Sequence, residues 1–67
     1  MSVAKVIEIS ARSDSSIEDA VEQGIQKAAE TVDNIQNAWI KETRAEVTNG
    51  TVSGYRVLMK ITFILSG

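Results

Sequence analysis

Trp39 and Arg56 are the two side chains in this sequence best suited to hold a ligand. Trp39 is the only tryptophan and lies in the run Asn37-Ala38-Trp39-Ile40-Lys41. If Ala38 and Ile40 face a core, the period of two in a strand turns Trp39 and Lys41 to the opposite face, which also carries Arg56. An indole turned away from its own core either anchors a subunit interface or stacks on a flat ligand. Arg56 likewise has two readings. Its guanidinium can donate to a planar or anionic ligand, or it can pair with Glu42 or Glu46 across a hairpin.

Most other chemistry is excluded by composition. The chain has no Cys and no His, so it lacks a thiolate, an imidazole base and nitrogen or sulfur metal ligands. Ser13, Ser15 and Ser16 read as turn and cap residues, because no partner is present to activate a nucleophile. We expect no catalytic residues and no enzyme activity. Glu8, Glu42 and Glu46 would hold a hard cation such as calcium only if symmetry gathered several copies, and scattered acids otherwise form a solvated surface. No metal ligand is assigned on these grounds. A net charge of −2 with Lys and Arg spread singly argues against nucleic acid and against a membrane surface. No stretch approaches the roughly 20 apolar residues of a membrane span, and Met1 to Lys5 has no signal core. The expectation is a soluble, cytoplasmic protein.

The elements that must position Trp39 and Arg56 follow from the pattern. Val3 to Ala11 mixes β-branched with single polar residues and closes on Ser13-Asp14-Ser15-Ser16, which marks a first strand. Ser15 and Glu18 have capping-box spacing. Ile17, Ala20, Val21, Gly24, Ile25, Ala28, Ala29 and Val32 then follow a helical rhythm, with Asp33-Asn34 as the stop. Gly24 sits among small residues that let the helix lie close to a sheet. Ala38 to Val47 reads as a second strand. Asn49-Gly50 is the pair preferred by two-residue type I′ hairpin turns, since both positions need φ > 0. Thr51 to Leu65 is a third strand.

This third strand is long for its helix. Fifteen residues extend on the order of 50 Å, whereas a helix of about 17 residues reaches roughly 25 Å. Tyr55, Val57, Met59, Ile61, Phe63 and Leu65 are expected to face the helix. Arg56, Leu58, Lys60, Thr62 and Ile64 form an opposite face whose mixed character suits a meeting with another subunit. An exposed long strand edge points the same way. A chain of 67 residues without disulfides is also too small for a large core. The fold class is therefore α+β. Residues 1–67 are expected to form a single β-α-β-β domain, a three-stranded antiparallel sheet wrapped on one helix, that assembles with copies of itself.

Lys5-Val6-Ile7-Glu8-Ile9 before a Ser-rich cap, Ala28-Ala29-Glu30-Thr31-Val32-Asp33-Asn34, Trp39, and Tyr55-Arg56-Val57 leading into Lys60-Ile61-Thr62-Phe63 together resemble the dodecin family. The resemblance covers almost the whole chain and rests on the order and spacing of these segments. It implies a hollow homododecamer that stores and sequesters flavin, riboflavin or FMN, with isoalloxazine rings stacked between Trp residues of symmetry-related subunits. Trp39 matches that Trp, and Arg56 stands where flavin-binding members carry a Gln that hydrogen-bonds the ring. A donor persists there and the amide's acceptor is lost. The connection Ile35-Gln36-Asn37-Ala38 is also about two residues longer than in those members, which would shift Trp39. The alternative implied is a dodecin-fold structural assembly that binds calcium or another small ligand.

Overall fold

The computed structural model describes residues 2–65. In chain order it contains β1 (Val3–Ser13), α1 (Ile17–Ala29), β2 (Ile35–Thr48) and β3 (Thr51–Leu65). The three strands form one antiparallel sheet in the order β1-β3-β2. The expected α+β subunit with β-α-β-β order and a three-stranded antiparallel sheet is what is found.

The helix begins one residue later than the sequence suggests. Ser16 is the N-cap, and its hydroxyl accepts from the Asp19 amide at 2.9 Å. Ser15 belongs instead to the preceding turn, where its amide donates to the Ser13 hydroxyl at 2.9 Å. Ser13 is buried and donates in turn to Asp19 Oδ2 at 2.6 Å. The helix also ends earlier, at Ala29. The amides of Thr31 and Val32 both fold back on the Ala28 carbonyl, and Asn34 takes a left-handed backbone with φ 64°. The Ile64 amide then donates to the Asn34 carbonyl at 3.1 Å. That bond joins the chain to the sheet at once, so β2 starts at Ile35 and not at Ala38. The segment 35–38 is strand, with Gln36 as an extra residue in the register.

Helix α1 lies on β1 and β3 and touches β2 only marginally. Ala20, Val57, Met59 and Ile61 are fully buried, and Ile9, Val21, Ile25 and Ile40 are among the half-buried side chains packed around them. Gly24 faces Met59 and Ala11 so closely that a Cβ there would collide with the Met59 methyl and lie 3.0 Å from the Ala11 Cβ. Its role is close packing. Towards the strand ends the core thins, with Tyr55 and Phe63 half-buried and Leu65 exposed.

Asn49 and Gly50 have φ of 52° and 75°, as a type I′ turn requires. The hairpin they close extends beyond the end of β1, which stops at Ser13 opposite Tyr55. Extents of 51 × 19 × 13 Å and a radius of gyration of 13.8 Å compare with about 11 Å for a compact domain of this length. One expectation is corrected. The long strand β3 is central and has both edges paired, so the open edges belong to β1 and β2. What β3 leaves uncovered is its outer face.

Candidate functional site

The face of the sheet opposite α1 carries Trp39 and Arg56, as expected from the strand period. Trp39 is 61% exposed and stands opposite Lys60 of β3. Arg56 lies four residues from Lys60 along β3, a separation of roughly 13 Å at the rise of a strand. The two candidate residues thus share a face but do not meet within one subunit.

Arg56 makes the carboxylate contact expected across the hairpin. Its Nε donates to Glu46 Oε2 at 3.2 Å, and its Nη1 donates to the Ser10 hydroxyl at 3.1 Å. Glu46 is shared, since Arg12 Nε donates to its other oxygen at 2.5 Å. The hydrogen bond from Arg12, followed by that from Arg56, holds the Glu46 carboxyl below its ordinary range. Glu42 does not take part; its nearest cation is Arg44 at 3.9 Å.

Lys41 and Lys60 lie on this face as expected, whereas Arg12 and Arg44 were not placed there from sequence. The register places Arg12 of β1 and Arg44 of β2 on either side of Arg56, so three guanidiniums stand abreast across the sheet. Lys60 lies between Glu8 and Trp39 in the same way. Lys41 is the extra residue of a bulge, and its ammonium reaches Glu8 at 3.5 Å. Five of the chain's seven Lys and Arg therefore gather here, with Glu8, Glu42 and Glu46 on the same face and Asp14 paired to Arg12 at its end. Cations that look scattered in the sequence make one basic face on an acidic chain, because strand pairing brings distant positions into rows. A cleft of about 200 Å³ lies between Ser10, Glu42, Arg44, Arg56 and Leu58.

Carboxylates are not gathered in the same way. Among the described residues no three acids are grouped as a metal ion would need. No helix there is long and apolar enough to cross a membrane.

A three-stranded antiparallel sheet packed on one helix, with the lone indole exposed on its outer face, is a small α+β fold of β-α-β-β order. The Dodecin family model matches residues 3–66, and the chain belongs to the dodecin family. Solved structures agree. A dodecin from Streptomyces davaonensis superposes with a TM-score of 0.93 at 26% identity, covering 98% of this chain and 97% of that one. A variant of Thermus thermophilus dodecin gives a TM-score of 0.94 at 22% identity over 100% of both chains. A calcium-chelating antigen from Mycobacterium tuberculosis, described as a calcium dodecin, gives 0.83 at 31% identity over 96% and 91%. No curated protein sequence matches.

Proposed function

We propose that this chain is a non-enzymatic flavin-binding subunit that stores and sequesters flavin within a homo-oligomer. The assembly implied by the family resemblance is a hollow dodecamer. Trp39 of two symmetry-related subunits would hold isoalloxazine rings between them, and Arg56 would donate to a ring edge presented by a neighbouring copy. The observation that carries this reading is the exposure of the only Trp on an outward sheet face. An electron-rich indole gains stacking from a flat, electron-poor ring, and two-fold symmetry supplies a second indole without another residue. The elongated subunit and its thin core support self-assembly, since both are poor for a lone copy of this size.

Titration of riboflavin or FMN into the purified protein tests the proposal through flavin and Trp fluorescence. Quenching that disappears in Trp39→Ala is expected. No quenching at micromolar protein would sink the flavin reading. Rings stacked on both sides are closed to a second substrate, so no turnover with common electron donors is expected.

A second reading is favoured by the relative described as a calcium dodecin. Calcium would here need carboxylates from several subunits, with Glu8 and Glu42 of the outer face the nearest candidates. Calorimetric titration with calcium separates the two, because heat of binding in Trp39→Ala that equals the wild type would place the ion apart from the indole.

A further inference from the structure

Trp39 and Lys60 are cross-strand neighbours on the outer face, and the Lys60 ammonium lies 5.8 Å from the centre of the indole. A cation at that range is attracted by the π-face. The acid beside the pair is what gives the contact its meaning. Glu8 stands opposite Lys60 on β1, where an ion pair across the ladder would stabilise the sheet. Glu8 is instead engaged by Lys41 from the bulge of β2. Among the described residues no carboxylate lies within ion-pair distance of Lys60. Its charge is left to an exposed indole.

We propose that Lys60 makes the exposed face of Trp39 an electropositive stacking surface, one whose affinity for a stacked ring Lys60 raises more when that ring carries negative charge than when it is neutral. An indole alone is electron-rich and repels an anionic ring placed over it. An ammonium beside that indole, with no carboxylate within ion-pair distance, offsets this repulsion, because opposite charges a few ångströms apart attract. The aliphatic stem of Lys60 can lie along the indole while the ammonium meets acceptors at the ring's edge. The proposal rests on Trp39 being the stacking surface and deepens that reading by fixing the ring charge that Lys60 favours.

Lumiflavin, which has neither ribityl chain nor phosphate, isolates the ring from any contribution of the arginine row. On reduction it takes up two electrons, supplied by dithionite, and one proton to become the hydroquinone anion. The assembled full chain and its Lys60→Met variant, which keeps the stem and loses the charge, are titrated anaerobically with both forms. Lys60→Met is expected to weaken binding of the reduced anion by about tenfold while changing the oxidised form by less than about twofold. The same tenfold change lowers the two-electron midpoint potential of the bound ring by roughly 30 mV. Equal losses for both forms, or no loss for either, overturn the proposal. A second measurement needs no flavin. Trp39 emission, the only Trp signal, should be quenched by iodide more than by acrylamide in the wild type, with the excess gone in Lys60→Met. An unchanged ratio also overturns it. If lumiflavin binds neither protein the flavin reading falls, and the iodide comparison alone decides the role of Lys60.

Discussion

Arg12 and Glu46 join the two edge strands of the sheet across the strand that separates them. Arg12 belongs to β1 and Glu46 to β2, with β3 between, yet Arg12 Nε donates to Glu46 Oε1 at 2.5 Å. The crossing is open because the β3 residue beneath it is Gly54, which pairs with Glu46 in the register. A Cβ on Gly54 would run into the Arg12 guanidinium. On the way the guanidinium also donates to the Ser53 carbonyl at 3.1 Å and to Asp14 at 2.6 Å. The clamp fastens the end of β1 to the projecting hairpin.

Gly54→Ala should therefore lower the thermal midpoint by displacing Arg12. The effect belongs to the clamp and not to the glycine's flexibility, so it should be lost in an Arg12→Ala background, where the guanidinium that the new methyl would strike is gone. A double-mutant cycle on unfolding free energies checks this. Additive effects would show that the glycine acts independently of the crossing.

Acid should weaken the same clamp. The folded carboxyl of Glu46 titrates below its unfolded value because Arg12 and Arg56 donate to the charged form. Its contribution is complete above the unfolded value, about pH 4.3, and is lost as pH falls from there through the folded value. Glu46→Gln removes that contribution at neutral pH and should flatten the fall in midpoint on acidification. Circular dichroism melts at a series of pH values measure it, and parallel profiles for the two proteins would reject the assignment.

Three neighbouring serines should differ sharply when replaced by Ala. Ser16 caps the helix through Asp19, and its loss is expected to cost about 1 kcal/mol. Ser13 is buried, donates to Asp19 and accepts from the amides of Ser15 and Ser16. Removing it orphans an amide and should cost about 1–3 kcal/mol. Ser15 offers only its backbone, so Ser15→Ala should stay within about 0.5 kcal/mol. Denaturant unfolding ranks the three, and a larger effect at Ser15 than at Ser16 would return the cap to the earlier residue.

The pairing of Trp39 with Lys60 is legible in the sequence, although for a reason hidden there. Counting back one for one from the Asn49–Gly50 turn sets Trp39 against Lys60, which is the observed pair. The count succeeds because an extra residue on β3, Ser53, is cancelled by an extra residue on β2, Lys41. Between these two bulges the count fails by one. Arg56 would be set against Thr43, whereas its partner is Arg44. Hydrophobic period and turn chemistry thus placed three strands in the right order, with the core side of β3 and the outward aim of Trp39, but not the end of β1 or the start of β2. They did not reveal the row of arginines or the Arg12–Glu46 crossing, which depend on where bulges and a glycine fall once the strands are paired. The early end of the helix was hidden for a related reason. Val32 keeps the helical rhythm, but the bond from Ile64 to the Asn34 carbonyl draws the chain into the sheet first.

The outer face also makes a prediction about assembly. Val6 is 52% exposed and stands on that face opposite Thr62, the residue two places beyond Lys60. In an isolated subunit Val6→Glu changes little, within about 0.5 kcal/mol, because an exposed site accepts a charge. In an assembly that buries this face, the same carboxylate would be desolvated without a partner. Light scattering coupled to size exclusion should then find a smaller species for Val6→Glu than for the wild type. Since the proposed flavin site needs Trp39 from two copies, flavin quenching should fall in parallel with the assembled mass. A variant that keeps the wild-type mass would put the subunit contacts elsewhere, on the open edges of β1 and β2. A variant that loses mass but still quenches flavin would instead detach ligand stacking from assembly, leaving one indole sufficient.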